Sequence, residues 1–239
     1  MPKPTPQTNN ESIVPRHLGL ILDGNRRWAL ENGFPKLEGH RYGYETLKTI
    51  ADAALDRGVK YLTAYVFSTE NWKRPPIEVK FLMDLLYWVA TKEVEEFHQK
   101  NIRLVFLGKE VPLSPKILKA IYQAEEKTKH NSHGTLALCL NYGGQTEITE
   151  AVQKIIKAGI HPDQITPDTI QAHLYHPEIP DVDFIIRTSG EQRLSNFMLW
   201  RSAYAELYFK SNKHWPAFTV SDLDEALKDY AERVRRFGI

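Results

Sequence analysis

The chain of 239 residues contains one cysteine, Cys139. A single thiol forms no intrachain disulfide, so a secreted scaffold held together by disulfides is excluded and a reducing cytoplasm is the expected location. Cys139 stands in the apolar run 136–140, and a thiol buried among apolar side chains is a poor nucleophile. Cysteine chemistry is therefore not expected.

Long apolar runs and an excess of charge are also missing. No run approaches the roughly 18 residues of a membrane-spanning helix, and the N-terminus lacks the basic and then apolar layout of a signal peptide. Lys and Arg number 31 and Asp and Glu 30, a net charge of +1 that disfavours a nucleic-acid partner. We expect a flexible leader at 1–14, which is proline-rich with little to bury, and one folded domain at 15–239.

Three common catalytic motifs are absent. The chain has no Gly-x-x-x-x-Gly-Lys-Ser/Thr loop, no Gly-x-Gly-x-x-Gly fingerprint and no Gly-x-Ser-x-Gly elbow. The sequence therefore contains no motif that favours a P-loop hydrolase, a dinucleotide-dependent oxidoreductase or a serine hydrolase. The nine histidines show no zinc-ligand spacing with cysteine. What is present is an ordinary globular composition, 42% hydrophobic and 11% aromatic, which suffices for a large core.

Short apolar runs alternate with helix-like segments along the chain. We predict strands at 17–22, 61–67, 102–107, 135–140, 182–186 and 205–209. We predict helices at 42–56, 77–98, 115–129, 146–158, 167–175 and 221–236. Uninterrupted apolar strands that alternate with helices indicate an α/β domain whose mainly parallel sheet is covered by helices on both faces.

The segment 77–90 is apolar round nearly its whole circumference, with Lys80 and Asp84 on a narrow polar strip. A helix of this kind is buried on more than one side. Two interpretations stay open. The segment is a central helix, packed between the sheet and its neighbours or at a subunit contact, or it is the wall of a long apolar cavity.

Polar clusters follow three predicted strands, at 23–28, 68–76 and 187–196. The carboxyl ends of parallel strands form one edge of a sheet, where α/β proteins bind ligands. The clusters predict a site for two phosphate groups, because planar guanidinium forks suit phosphate oxygens, although each arginine alone could be a surface ion pair. The arginines are Arg26, Arg27, Arg74, Arg187 and Arg193. Asp23 is either a helix N-cap or a ligand of Mg²⁺ shared with phosphate oxygens.

Five ordered segments resemble the cis-prenyltransferases, most closely the bacterial undecaprenyl diphosphate synthase type. They are HLGLILDGNRRW at 17–28, Gly39-His40 with Gly43, YVFSTENWKRP at 65–75, LNYGG at 140–144 and DFIIRTSGEQRLSNFMLWRSAYAELY at 183–208. The resemblance implies about six parallel strands wrapped by helices, an apolar tunnel for the growing chain, and a homodimer.

The resemblance also implies a reaction. It is a Mg²⁺-dependent condensation of isopentenyl diphosphate onto an allylic diphosphate, farnesyl or geranylgeranyl diphosphate, in which each new double bond is cis. The implied product is a long-chain polyprenyl diphosphate of undecaprenyl type, the precursor of a lipid carrier for cell-wall glycans. Because such a product is insoluble, transient membrane contact by a cytoplasmic enzyme is expected.

The resemblance assigns roles to individual residues. Asp23 is the expected catalytic carboxylate and Mg²⁺ ligand, and Glu206 a second Mg²⁺ contact from the dimer partner. Asn71 is the residue assigned to proton removal, but an amide is a weak base, so we expect it to position the proton's route toward the pyrophosphate or His40. The other expected substrate contacts are Gly24, Asn25, Arg26, Arg27, Trp28, Lys36, His40, Ser68, Thr69, Glu70, Trp72 and Arg74. Those expected for isopentenyl diphosphate are Arg187, Arg193, Leu194 and Ser195.

Three positions depart from many members of that family. Arg26 and Ser189 stand where others have glycine, and Lys36 where others have arginine, a change expected to weaken phosphate affinity or alter the starter. The segment 236–238 resembles a tail that reaches the partner's diphosphate site, or is simply a basic helix end. Two other functions stay open. They are a non-catalytic subunit of a heteromeric cis-prenyltransferase, disfavoured by the intact motifs, and a strand-end aspartate phosphatase.

Overall fold

The computed structural model describes residues 14–233, in which six strands form one sheet. The strands are β1 (His17–Ile21), β2 (Tyr61–Ser68), β3 (Ile102–Leu107), β4 (Gly134–Tyr142), β5 (Phe184–Thr188) and β6 (Glu206–Lys210). Their order is β3-β4-β2-β1-β5-β6, and every neighbouring pair is parallel. The predicted α/β fold is confirmed. The predicted leader, apart from Val14, and the segment 236–238 lie outside the described residues.

Both faces of the sheet are covered, as the apolar strands predicted. Along β4, which is buried over its whole length, Leu136, Leu138 and Leu140 join one apolar cluster, and Ala137 and Cys139 join the other. The alternation follows from the two-residue period of a strand. Cys139 is fully buried, which raises the pKa of its thiol and agrees with the absence of a cysteine nucleophile.

The helices follow the strands in sequence. They are α1 (Asn25–Glu31), α2 (Glu38–Asp56), α3 (Pro76–Trp88), α4 (Val94–Gln99), α5 (Pro115–Thr128), α6 (Gly144–Lys157), α7 (Pro167–Gln171) and α8 (Val220–Glu232). The predicted helix 77–98 is interrupted by a π-helical turn, Val89–Glu93, between α3 and α4. The predicted helix 167–175 ends early, at Gln171.

The helix predicted from residue 42 begins instead at Glu38. A Cβ atom on Gly39 would lie 2.0 Å from the backbone oxygen of Asn25, and one on Gly43 would lie 2.4 Å from Asn25 Oδ1. Glycine lowers helix propensity, which placed the predicted boundary too late, but here its missing side chain lets α2 cross α1 at close range.

The sheet order brings the four strands β4, β2, β1 and β5 side by side. The residues at or after their carboxyl ends are 141–144, 69–74, 22–24 and 189–196, and the last three ranges overlap the polar clusters that the sequence predicted to meet. One edge of the sheet therefore carries all three.

Candidate active site

Asp23 lies directly after β1 and is held by two arginines. Its Oδ1 accepts a hydrogen bond from Arg27 Nη2 at 3.1 Å, and its Oδ2 accepts one from Arg187 Nη2 at 2.9 Å. The N-cap of α1 is Gly24, without a side-chain cap, so the helix-cap interpretation of Asp23 is wrong. The side chain remains 28% exposed, which leaves this carboxylate open to a ligand.

A second carboxylate, Glu78, is the centre of a buried ionic cluster. It lies 3.1 Å from Arg26 Nη1, 2.9 Å from Arg74 Nη1 and 3.4 Å from His40 Nε2, and its side chain is only 3% exposed. Sequence reasoning missed Glu78. The available signal was its position four residues after Arg74 in the first turn of α3, where opposite charges pair.

Burial and charge act in opposite directions on Glu78. Burial works to raise the pKa of its carboxyl, but Arg74 and Arg26 outweigh burial and hold that pKa below its ordinary value. Burial, together with the positive charge of Arg74, lowers the pKa of His40 to about 4. Near pH 7 the cluster therefore contains an ionised carboxylate, two guanidinium groups and a neutral imidazole.

The polar cluster after β2 folds as a short 3₁₀ helix, Thr69–Lys73. Asn71 Oδ1 accepts a hydrogen bond from the Ser68 N–H at 3.1 Å, which fixes the orientation of the amide. Trp72 Nε1 donates to Asn141 Oδ1 at 2.7 Å, across the gap between β2 and β4. Asn141 lies in the segment LNYGG but was given no role by the sequence, and here it fixes the position of an indole that the sequence predicted as a substrate contact.

The polar cluster after β5 divides into inward and outward side chains. Arg187 is 4% exposed, and its Nη1 donates to Ser195 Oγ at 2.8 Å. Arg193, by contrast, forms an ion pair with Glu191 and is 61% exposed. Leu194 packs against the second apolar cluster. In this structure Arg187 thus contacts Ser195 and also donates to the backbone oxygen of Arg193, while the side chain of Arg193 pairs with Glu191.

Asn196 joins two of these clusters, and the sequence prediction did not include it. Its Nδ2 donates to Glu70 Oε1 at 3.2 Å, and its Oδ1 accepts from the Gln145 N–H at the start of α6 at 2.8 Å. Its φ of 67° lies in the left-handed region, where asparagine is among the residues best tolerated. A sequence shows asparagine as a turn former but not which loops it connects.

Three further predicted residues lie away from this cluster. Trp28 stacks on Phe34 at 5.6 Å between ring centroids, and Lys36 is exposed in the loop between α1 and α2. Glu206 begins β6 opposite Phe184 in the register, at the far end of the strands from Asp23, and accepts from Arg233 Nη1 at 2.8 Å. Within one chain Glu206 and Asp23 share no site, so the predicted metal contact requires a second copy.

A cavity of about 620 Å³ extends from the polar edge into the protein. Its polar end is lined by Asp23, Asn25, His40, Ser68, Glu70, Asn71, Arg74, Arg187, Ser195 and Asn196. Its apolar walls include Leu82, Met83, Leu85 and Leu86 of α3. Along β4 it runs from Leu140 back to Leu136, a distance of ~13 Å at the rise of a strand. The segment 77–90 is therefore observed as a wall of the cavity, and its role at a subunit contact stays a prediction.

Three side-chain atoms in residues 14–233 are buried without a hydrogen-bond partner, and all belong to this polar end. They are Asn25 Oδ1, Arg187 Nε and His40 Nε2, which lies 3.4 Å from Glu78 Oε1 without forming a hydrogen bond to it. Buried polar atoms are normally paired, so an unpaired group calls for an explanation such as a ligand. The concentration of unpaired atoms at the cavity mouth is the mark of a binding site for a polar group.

No group of three or more His, Cys, Asp or Glu side chains within the described range is arranged to hold a metal ion. A metal at this site would depend on the carboxylate of Asp23 together with oxygens of a bound ligand. Mg²⁺ accepts that coordination, since it commonly combines one or two carboxylates with substrate phosphates and water. Across the same residues, no helix has the length and apolarity to cross a membrane.

The chain matches the family described as putative undecaprenyl diphosphate synthase over residues 21–238. It is 48% identical over 227 residues to an isoprenyl transferase of Thermotoga maritima, with 94% of this chain and 97% of that protein covered. It is 45% identical over 237 residues to a trans,polycis-polyprenyl diphosphate synthase of Thermobifida fusca, described as specific for (2Z,6E)-farnesyl diphosphate. That alignment covers 98% of this chain and 83% of the relative.

A solved structure is similar over nearly the whole chain. It is the lavandulyl diphosphate synthase from Lavandula x intermedia in complex with dimethylallyl diphosphate, with a TM-score of 0.90 and 35% identity, covering 97% of this chain and 100% of that one. These comparisons confirm the resemblance seen in the sequence. The chain belongs to the cis-prenyltransferase family, whose members are transferases of prenyl groups.

Proposed function

We propose that this enzyme condenses isopentenyl diphosphate onto an allylic diphosphate with Mg²⁺ and makes a long-chain, undecaprenyl-type polyprenyl diphosphate. The observation that carries the proposal is one cavity with two chemically different ends. Its mouth presents guanidinium groups and unpaired buried polar atoms, and its interior presents aliphatic side chains. A prenyl diphosphate has the same division, with a charged head and a hydrocarbon tail.

Asp23 is the residue that would hold Mg²⁺ together with the diphosphate oxygens. The fit rests on its partly exposed carboxylate and on the neighbouring Arg27 and Arg187, which suit the charge of a diphosphate. When bound, Mg²⁺ supplies positive charge that stabilises the departing pyrophosphate. Glu206 of a partner subunit would add a second carboxylate, which makes a homodimer part of the proposal.

The chain's own residues hold the two substrates and guide one proton. Arg26, Arg27 and Arg74 would bind the allylic diphosphate, with Arg74 and His40 held in place by Glu78. Arg187 and Ser195 would bind isopentenyl diphosphate, and Arg193 would turn inward from its ion pair with Glu191 to join them.

Asn71, oriented by Ser68, would steer the proton released from the isopentenyl carbon. His40 is a weak base because burial lowers its pKa to about 4, so the departing pyrophosphate is the better proton acceptor. Asn71 and His40 would thus position the reacting groups, and the proton would pass from the isopentenyl carbon to the departing pyrophosphate.

The apolar walls would draw elongation forward. Burying a methylene group is favourable by about 0.8 kcal/mol, so each added isoprene unit gains from entering the cavity. The relatives are named for different products, so their names do not give the product length. In this proposal the chain's own cavity determines it. The product would enter a membrane during transient contact and serve as precursor of a lipid carrier for cell-wall glycans.

The test is incubation with radiolabelled isopentenyl diphosphate, Mg²⁺ and a panel of allylic starters that includes farnesyl and geranylgeranyl diphosphate. We expect a ladder of labelled polyprenyl products in the butanol extract, lost on addition of EDTA, and its longest member gives the product length. A folded protein that makes no product with any starter would contradict the proposal and favour a non-catalytic subunit.

A further inference from the structure

A chain of three side chains lies beside the Asp23–Gly24 turn and belongs to none of the predicted roles. Ser189 Oγ hydrogen-bonds to His214 Nδ1, and His214 Nε2 lies 3.0 Å from Glu31 Oε1. An ionised carboxylate only accepts, so His214 Nε2 carries the proton and donates it. In that tautomer Nδ1 accepts from the Ser189 hydroxyl. The chain thus connects the end of α1 to the turn after β5.

This chain packs directly against the turn that carries Asp23. A Cβ atom on Gly24 would lie 2.2 Å from Ser189 Oγ and 2.5 Å from His214 Nδ1. Gly24 has a φ of 101°, which glycine adopts without strain. The Gly24 backbone therefore packs against the hydrogen-bonded side chains of Ser189 and His214. A displacement of either side chain would move the turn.

The neighbours of the two residues hold the same turn through its backbone. The oxygen of Asp23 accepts a hydrogen bond from Thr188 Oγ1 at 2.7 Å and another from the Trp215 N–H at 2.9 Å. Arg27 Nη1 donates to the Ser189 oxygen at 3.4 Å, a long contact that still orients the guanidinium group. The segments 188–189 and 214–215 thus enclose Asp23 from both sides.

Ser189 occupies a backbone conformation that favours glycine, with a φ of 79°. Its N–H donates to the backbone oxygens of Lys210 and Lys213, at 3.1 and 2.8 Å, so the strained turn is tied to the segment that leads to His214. A serine here bears a conformational cost that a glycine would avoid. The hydrogen bond of its hydroxyl to His214 offsets that cost.

We propose that His214, through Ser189 and Glu31, is a positioning residue that holds the Asp23–Gly24 turn and Arg27 in place for the diphosphate of the allylic substrate. The inference rests on the proposed function for the identity of the ligand. His214 belongs to neither apolar cluster, and its side chain is 20% exposed. Its substitution should therefore impair ligand binding more than folding.

The test compares His214→Leu, which removes both hydrogen bonds, with His214→Asn, whose amide oxygen stands where Nδ1 does and accepts from Ser189. Ser189→Gly removes the hydroxyl and relieves the backbone strain at the same time. His130→Leu is the matched control, because His130 is exposed in the turn before β4. Two readouts are needed. One is binding of a non-reactive thiolo analogue of farnesyl diphosphate by titration calorimetry with Mg²⁺, and the other is the set of steady-state constants.

We expect His214→Leu and Ser189→Gly to weaken analogue binding and raise the KM for the starter by about tenfold, the effect of one hydrogen bond to a charged network. His214→Asn should recover part of the loss. The KM for isopentenyl diphosphate should stay near wild type, and the melting temperature within about 2 °C. A purely structural role would lower the melting temperature and leave the starter constants unchanged.

Two further outcomes separate this inference from the proposed function. Unchanged analogue binding in His214→Leu and Ser189→Gly, alongside an active wild-type enzyme, would overturn the positioning role and leave the function standing. Weakened analogue binding in both variants, alongside a wild-type protein that makes no polyprenyl product, would support the positioning role and overturn the function.

Discussion

Two carboxylates of the candidate site are each held by two arginines, yet they differ in exposure. Glu78, 3% exposed, contacts Arg26 and Arg74, and Asp23, 28% exposed, contacts Arg27 and Arg187. Protein groups surround the charge of Glu78 almost completely. The charge of Asp23 is only partly surrounded by protein groups, and the rest of it is accessible to a ligand. Both carboxylates have arginine partners, so the difference between them is their exposure. The buried Glu78 orders the side chains around it, and the partly exposed Asp23 is accessible to a ligand.

The largest expected effect is that of Asp23→Ala, which tests the open carboxylate. We expect turnover to fall at least about 10³-fold, since the group acts where charge develops during the reaction. Asp23 lies outside both apolar clusters, so the melting temperature should change little. Product formation and thermal unfolding are measured for this variant and for Asp23→Asn, which keeps the shape.

The control is Asp84→Ala, which removes a 66% exposed carboxylate that pairs with Lys80 on the polar strip of α3. It should behave as wild type in both measurements. Normal turnover by a folded Asp23→Ala protein would remove the metal assignment and with it the contrast between the two carboxylates.

The next effect is that of Glu78→Gln, which tests the buried carboxylate. Loss of its charge leaves Arg26 and Arg74 without their common partner, and we expect the free energy of unfolding to fall by ~1–3 kcal/mol. Turnover should fall about tenfold through misplacement of Arg74. Denaturant unfolding and steady-state kinetics check both effects, with Glu126→Gln as the exposed control. A loss of turnover as large as that of Asp23→Ala, without loss of stability, would show that Glu78 acts in the chemistry itself.

Arg193→Ala extends the comparison to an arginine that faces solvent. Because its side chain is 61% exposed, stability should be unchanged. If Arg193 turns inward on substrate binding, the KM for isopentenyl diphosphate should rise several-fold, with a smaller change in the KM for the starter. Glu191→Ala, which frees Arg193 from its ion pair, is the paired variant and should lower that KM or leave it unchanged. Unaltered constants in Arg193→Ala would remove this residue from the site.

The smallest expected effect on turnover at neutral pH belongs to His17, which is buried at the opposite end of β1. Burial lowers its pKa to about 4, while the unfolded chain has an ordinary value near 6.5. Between these values the unfolded state binds more protons, so this ring makes the protein less stable as the pH falls from about 6.5 to about 4. Between pH 7.5 and pH 5 we expect the free energy of unfolding of His17→Gln to fall by ~1–2 kcal/mol less than that of the wild type. Its turnover at pH 7.5 should be unchanged. Denaturant unfolding at both pH values measures the difference, and an identical slope in the two proteins would contradict the assignment.

The sequence was sufficient to predict the strands and the meeting of their polar ends. Uninterrupted apolar runs such as 135–140 need cover on both faces, and in a parallel sheet every carboxyl end lies on one edge. The prediction that the clusters of Asp23 and Arg187 meet at this edge is confirmed, since Arg187 donates to Asp23 and to Ser195. The same reasoning located the cavity wall in 77–90 but left a central helix as an alternative, since an apolar surface does not show what it faces.

Contacts between distant side chains were beyond the sequence. Asn141 and Asn196 act through hydrogen bonds to residues far away in the chain, and such pairs leave no periodic pattern. The pairing of Glu78 with Arg26 is equally distant, and only its spacing of four residues from Arg74 was visible. Side-chain conformations were equally hidden, since the sequence does not show that Arg193 pairs with Glu191 and is largely exposed. The far position of Glu206 follows from the strand register, which the runs of apolar residues do not specify.

The π-helical turn Val89–Glu93 has a consequence for insertions and deletions. Val89 and Phe97 both line the cavity, although eight residues of ideal α-helix would set them about 80° apart. The wider turn accommodates one additional residue and returns Phe97 to the face of Val89. Deletion of a single residue between them would leave seven residues of regular α-helix, which again place Phe97 within about 20° of the face of Val89. Such a deletion removes the wide turn and keeps the phase, whereas one further inserted residue would rotate everything beyond it by about 100°.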